Sequence, residues 1–243
     1  MDGLKIDYGE LRGIVVDAKP PRAGRSKRSR WSLGAVLVRA LKSGALLVVL
    51  ATLPFFALIR GGVFAYRSWG LGTWASLAAA TVASAALLWL YAWLVARKLG
   101  AGRTVHRVMT RGAAAVGIAY VAYGLVFIAS ANVKTDDIRT AYASVHPLLR
   151  IASSLLILVD PASVVTDAGR TPEDYFLMGL SRPEASLHFE QPDGFVHALD
   201  FRTTGRPEWR NRAAELAFWA MGFHALRHVG TADHLHVSLR PPA

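Results

Sequence analysis

The chain has no cysteine among its 243 residues. Disulfide bonds, thiolate catalysis and cysteine-based zinc sites are therefore excluded, and any bound metal has to be held by histidine and carboxylate side chains. Acidic residues are also scarce in the N-terminal half. Residues 1–111 contain 4 Asp and Glu and 17 Lys and Arg, whereas residues 112–243 contain 13 Asp and Glu and 11 Lys and Arg. The basic excess is thus confined to the N-terminal half.

That N-terminal half is strongly apolar between its basic segments. Three stretches, at about residues 33–59, 71–96 and 112–131, are long enough to cross a bilayer, for which about 20 residues suffice. The basic residues flank these stretches instead of covering a globular face, which argues against nucleic-acid binding. The sequence therefore predicts three transmembrane helices in contact with membrane lipid.

Loop charges predict the orientation of these spans. Six Lys and Arg lie in residues 19–30 and five lie in residues 97–111, whereas only Arg60 and Arg67 separate the first two spans. By the positive-inside rule, residues 1–32 form a basic cytoplasmic tail. The chain after Ala131 is then expected outside the cytoplasm, on a bacterial inner or plasma membrane.

The C-terminal part predicts a small α+β domain over residues 146–243. A linker or short helix is predicted at 132–145, and the apolar segment 146–159 is predicted to pack on the domain core as a helix, with a fourth span as the alternative. Further elements follow in the order strand, loop, strand, helix, strand, at residues 163–166, 171–183, 195–201, 206–227 and 234–239. This order indicates an antiparallel sheet with flanking helices.

Potential metal ligands concentrate in two segments of this domain. His234 and His236 are two residues apart on a predicted strand, so both side chains point to one face. A neighbouring strand carries Asp200, and His188 precedes that strand. Two His and one carboxylate leave a coordination position open on tetrahedral zinc, which is typical of catalytic sites. Asp233 is a candidate general base, and surface or capping roles for the histidines are the alternative.

Several segments resemble a known zinc peptidase family. SLHFE and ALDFRT resemble the Ser-Leu-His-Tyr-Glu-Gly-Arg-Ala-Val-Asp segment of the hedgehog signalling domain, and VVTD at 164–167 resembles the strand before it. AELAFWAMGF and DHLHVSL resemble that family's helix and closing strand. The family also includes D-alanyl-D-alanine carboxypeptidases and dipeptidases and lysostaphin-type enzymes. The likeness covers about residues 145–240 and none of the membrane part.

The resemblance implies a role for each matching residue. The ligands of Zn²⁺ would be His188, Asp200 and His236. His234 would stabilise the transition state, and Asp233 matches the acidic base of the carboxypeptidase branch. The family also binds the substrate carboxylate with an upstream arginine, for which Arg170 is the first candidate and Arg182 the second. Both arginines are equally interpretable as solvated loop charges.

The chain departs from the family pattern at one point. Eleven residues (189–199) separate His188 from Asp200, whereas the family has six. Asp193 and Gly194 are a turn signal, which favours a bulging loop that leaves the site intact. Otherwise His197 replaces His188 as a ligand, or the site is inactive.

Together these observations predict a membrane-anchored, zinc-dependent peptidase that acts on peptidoglycan stem peptides. The alternative is a non-catalytic metal-binding module that binds cell wall or a partner protein. A transporter component is disfavoured, because the spans contain no intramembrane acid or paired charge.

Overall fold

The computed structural model describes residues 33–177, 179, 186–230 and 233–242. The chain divides into two units, Met1–Ala45 and Leu46–Ala243. In the first unit the described residues form the beginning of a helix. The predicted basic tail, residues 1–32, lies outside the described residues.

Three long helices open the described chain: α1 (Leu33–Trp69), α2 (Thr73–Lys98) and α3 (Arg103–Val126). Each is long and apolar enough to cross a membrane, as predicted. Their bounds differ from the predicted spans, because α1 continues beyond Ile59 and α3 begins before Gly112. α1 ends where Gly70 adopts a φ of +63°, a left-handed conformation that stops a helix and favours glycine.

The described part of the chain after α3 contains four shorter α-helices. They are α4 (Asp136–Ala141), α5 (Pro147–Val159), α6 (Pro172–Leu177) and α7 (Glu208–Met221). Helix α6 shows that the predicted loop at 171–183 is wrong over this segment. The Asp174 carboxylate accepts from the Thr171 backbone N–H at 2.6 Å, and the Thr171 hydroxyl accepts from the Asp174 N–H at 3.3 Å. This reciprocal pair is a capping box, which begins a helix.

Four strands form one antiparallel sheet in the order β1-β2-β4-β3. They are β1 (Val165–Asp167), β2 (Ala198–Arg202), β3 (His224–His228) and β4 (His234–Ser238). The α+β class and the antiparallel sheet are confirmed. The predicted helix at 206–227 is wrong at its end, because Gly222 adopts a φ of +99° and terminates α7. The residues that follow form β3.

Helix α5 packs on the hydrophobic core. Its Leu148, Leu149 and Ile151 are fully buried, and burial of each such side chain contributes roughly 1.5–3 kcal/mol. α5 also contacts α3, since the Tyr120 hydroxyl donates to the Ile151 carbonyl at 2.9 Å. With 13 residues, α5 is shorter than the roughly 20 that a bilayer span requires.

The same core continues from α1 into the sheet. One cluster of buried side chains joins Leu58 and Val63 of α1 to Leu148 of α5, Leu199 of β2 and Val237 of β4. Gly62 makes this approach possible, because a Cβ there would lie 2.6 Å from the Leu148 side chain. The sheet is therefore packed against the end of α1 and is not tethered to it by a free linker.

Candidate metal centre

The register of β2 and β4 brings the predicted ligands together. Asp200 pairs with His236 and Arg202 pairs with His234 across the two strands. Because directly opposed residues and residues two apart on one strand share a face, Asp200, His234 and His236 point to the same side of the sheet. The His236 Nδ1 lies 2.9 Å from Asp200 Oδ1, and the His234 Nε2 lies 3.8 Å from Asp200 Oδ2.

His188 completes this group from the segment before β2. Its Nε2 lies 3.3 Å from the His236 Nδ1 and 3.4 Å from Asp200 Oδ1. On the other side of the ring, Nδ1 lies 2.6 Å from the carbonyl oxygen of Ala168. A carbonyl only accepts hydrogen bonds, so this contact assigns the proton to Nδ1 and leaves the Nε2 lone pair directed at Asp200 and His236.

The three donor atoms have the dimensions of a zinc site. Ligand atoms around a tetrahedral zinc ion lie about 3.3 Å apart, given zinc–ligand distances of about 2.0–2.1 Å. The observed separations among His188 Nε2, His236 Nδ1 and Asp200 Oδ1 are 3.3, 3.4 and 2.9 Å. His188 and Asp200 are buried and His236 is partly exposed. The group therefore has a closed side formed by the protein and an open side at His236.

Electrostatics also favour a cation at this point. A lone pair of His188, a carboxylate oxygen and a second ring nitrogen converge, and the neutral rings supply too few protons to satisfy all three contacts. Burial of Asp200 opposes its ionisation, but its contacts with the His188 and His236 rings outweigh burial and keep its pKa well below the ordinary value. Asp200 is therefore a buried anion that shares one cation, Arg170, with Asp167, and a bound metal ion would compensate the remaining charge.

Arg170 reaches the centre but is already engaged there. Its Nη2 donates to Asp200 Oδ2 at 3.0 Å and its Nε donates to Asp167 at 2.6 Å, while Nη1 lies 3.4 Å from the Tyr175 hydroxyl. Burial opposes the charge of Arg170, but its hydrogen bond to Asp167 raises its pKa above the ordinary value. Arg170 thus holds the outer oxygen of Asp200 and turns Oδ1 towards the two histidines. The predicted substrate carboxylate would have to compete with these partners.

Asp233, the predicted general base, makes its contacts away from the three ligand atoms. Its carboxylate accepts hydrogen bonds from the Thr203 hydroxyl at 2.5 Å and from Arg227 Nη2 at 2.9 Å. The bond from Arg227 and that from Thr203 lower its pKa to about 2. A carboxylate in this state is a weak base, so base catalysis by Asp233 requires the Arg227 contact to open.

His197 lies in a separate cluster. Glu190 and Val196 form an antiparallel bridge, and between them Gly194 adopts a φ of +81°. The extra residues thus form a hairpin-like loop that leaves His188 at the centre. The fully buried His197 contacts Asp193 of that loop, with its Nε2 2.9 Å from Oδ1 and 3.0 Å from Oδ2.

This second cluster joins the loop to the long helices. The Asp193 carboxylate accepts from Tyr66 at 3.0 Å and from Thr73 at 2.8 Å, and His146 Nε2 lies 3.1 Å from the Thr73 hydroxyl. Its three donor side chains, His146, Asp193 and His197, are also close enough to hold a metal. However, His146 Nδ1 accepts the backbone N–H of Leu148 at 3.2 Å. The neutral ring then carries its proton on Nε2, where a metal would have to bind.

Three residues at the centre were not among the predicted site residues. Asp167 and Tyr175 hold Arg170, and the register of β1 against β2 aligns Asp167 with Asp200. His228 stacks on His234 with ring centroids 4.7 Å apart. Recognition of β3 as a strand, from the helix stop at Gly222, would have predicted His228 opposite His234.

Comparisons of the chain with protein-family models, with curated proteins and with solved structures find no match. The zinc peptidase family therefore remains a prediction from the sequence. Arg182, the second predicted substrate-binding residue, lies outside the described residues.

Proposed function

We propose that the chain is a membrane-anchored, zinc-dependent peptidase of the fold shared by D-alanyl-D-alanine peptidases and the hedgehog signalling domain. Its sheet-bearing part would act on peptidoglycan stem peptides outside the cytoplasm. The observation that carries the proposal is the triangle of His188 Nε2, Asp200 Oδ1 and His236 Nδ1, with edges of 2.9–3.4 Å and one open side. The positive-inside distribution of Lys and Arg supports the placement.

In this proposal each residue of the metal centre has its own role. His188, Asp200 and His236 hold the metal, and Arg170 keeps Asp200 oriented. A zinc ion held there supplies Lewis acidity, which polarises a peptide carbonyl and makes water nucleophilic near neutral pH. His234 faces the same side of the sheet and is partly exposed. In this proposal its ring would donate a hydrogen bond to the oxygen that gains charge.

Asp233 is the proposed proton acceptor of the reaction. Asp233 directly precedes His234 and keeps the role of base as a prediction. Its ion pair with Arg227 has to open as substrate binds. Arg227 also binds Glu208 at the start of α7, so movement of this pair would also change the contact between β3 and that helix.

The full-length protein in detergent provides the test. Purified peptidoglycan sacculi are incubated with the wild type, with His236→Ala and with the matched control His106→Ala, and released peptides are measured by mass spectrometry. We expect new termini from the wild type and the control and none from His236→Ala. Equal release by His236→Ala, or no release by a zinc-loaded wild type, would reject the proposal.

A non-catalytic metal-binding module is the second candidate. It is favoured by the engagement of Arg170 with two carboxylates and of Asp233 with Arg227. These contacts engage both Arg170, the first substrate-binding candidate, and Asp233, the predicted base. Such a module would retain zinc and bind wall peptides without releasing new termini, and the same incubation distinguishes the two.

A further inference from the structure

A basic cavity lies where α1 meets the end of α7 and the sheet. It has a volume of about 550 Å³, and its lining includes Arg60, Arg67, His224 and Arg240 but no carboxylate among the described residues. One hydrogen bond links Arg67 of this lining to the backbone, from its Nη1 to the Gly222 carbonyl at 3.4 Å. Three guanidinium groups gathered in this way repel one another, and a phosphate would bind them through charge-assisted hydrogen bonds.

Arg60 and Arg67 of α1 set the charge of this cavity apart from its surroundings. They are the only charged residues between the first two predicted spans, and both line it. Cations on this side run against the positive-inside preference. Their joint position at one cavity therefore points to a ligand of opposite charge.

An apolar groove adjoins the basic cavity. Its volume is about 750 Å³, and it runs between α1, α5 and α7. Leu53 and Phe56 line the groove, whereas Arg60 and Arg67 line the basic cavity. Their spacing of three, four and seven residues places all four on one face of α1. Ala220 of α7 lines both spaces, so the apolar and basic parts adjoin each other.

Helix α7 carries features of a helix at a membrane surface. Trp209 and Trp219 stand near its two ends and are 67% and 70% exposed, and Leu216 between them is 62% exposed. Tryptophan is enriched at the interface between headgroups and hydrocarbon. Because α7 and residues of the first predicted span line the same groove, the exposed side of α7 would meet the leaflet into which this groove opens.

We propose that these two adjoining spaces together bind one anionic phospholipid of the membrane. The headgroup phosphate would contact Arg60, Arg67 and Arg240, and one acyl chain would lie in the groove between α1, α5 and α7. The order of the two parts along α1, apolar first and basic beyond the predicted span, matches the order of chain and headgroup in a lipid. This site does not depend on the peptidase function, and its binding can be measured without turnover.

Native mass spectrometry of the full-length chain in detergent tests the proposal. Phosphatidylglycerol and phosphatidylcholine with equal acyl chains, and glycerol phosphate as a headgroup without chains, are added in separate titrations. We expect retention of phosphatidylglycerol, weaker retention of phosphatidylcholine and no retention of glycerol phosphate. The Arg60→Gln, Arg67→Gln, Arg240→Gln triple variant should lose about fivefold in affinity for each arginine removed.

Two further variants test the roles of the three arginines and of the groove, and distinguish both from a general loss of stability. A matched triple variant, Lys134→Gln, Arg202→Gln, Arg212→Gln, removes the same charge from exposed positions outside the site and should bind like the wild type. Ala213→Trp, at an exposed position in the groove, should weaken phosphatidylglycerol binding. Equal binding of the two phospholipids, tight binding of glycerol phosphate alone, or equal losses in the two triple variants would overturn the proposal.

Discussion

The buried cluster around His197 offers a sharp test of how the sheet is held on the membrane helices. In the wild type the ring has an acceptor at each nitrogen, with Nδ1 3.0 Å from the Leu239 carbonyl and Nε2 2.9 Å from Asp193. His197→Ala removes both contacts, leaves a cavity and deprives Asp193 of its ring partner.

The size of the effect follows from the geometry. Loss of one partner of a buried hydrogen bond costs about 1–3 kcal/mol, and more where the group left behind is charged. The side chain of Asp193 is 24% exposed and keeps hydrogen bonds from Tyr66 and Thr73, so we expect a loss of about 2–3 kcal/mol. For a chain of this size, each kcal/mol lowers the melting temperature by about 2–4 °C. The predicted decrease is therefore about 4–12 °C.

The assay is thermal unfolding of the full-length protein in detergent, monitored by size-exclusion chromatography. The zinc content of each variant is measured in parallel. His197→Ala should unfold earlier and keep its zinc, because His188 and not His197 belongs to the metal centre. Asp193→Asn combined with His197→Ala removes the unpaired charge and should recover part of the loss. An unchanged melting temperature, or loss of zinc with His197, would refute this reasoning.

Three further perturbations have defined outcomes. Arg170→Gln should weaken zinc binding by about 10–100-fold in chelator competition, because Asp200 loses its orienting partner; unchanged affinity would contradict that role. Gly222→Ala should lower stability by about 1–2 kcal/mol in urea unfolding, since a side chain at a φ of +99° is strained; a neutral result would contradict the helix-stop interpretation. Asp233 has a pKa lowered to about 2 by Arg227 and Thr203, so its contribution is present above pH about 4 and is lost as pH falls towards 2. Urea midpoints measured with chelator should therefore differ between wild type and Asp233→Asn near neutral pH and converge near pH 2; a constant difference would contradict it.

Local sequence patterns were sufficient for the long helices and for most of the sheet. Uninterrupted apolar length predicts α1, α2 and α3 because a bilayer requires it. Alternation predicts β2 and β4, and the two-residue spacing of His234 and His236 places them on one face. Asp200 joins them because its strand pairs directly with theirs.

Tertiary contacts account for what the sequence did not predict. Helical periodicity runs past Gly222 and predicts helix over β3, whereas the left-handed conformation of that glycine ends α7 before this strand. The partners of Arg170 come from a strand and a helix that only the folded chain assembles. Asp193 contacts Tyr66 and Thr73 across more than one hundred residues, and no local pattern reports such a contact.

Metal content of the full-length protein, purified without an affinity tag that binds metals, tests the central claim most directly. Elemental analysis after dialysis against trace zinc should give one zinc per chain for the wild type. His188→Ala, Asp200→Ala and His236→Ala should each lose the metal, whereas His146→Ala should retain it. A wild type without stoichiometric zinc, or retention of zinc by the three ligand variants, would contradict the account.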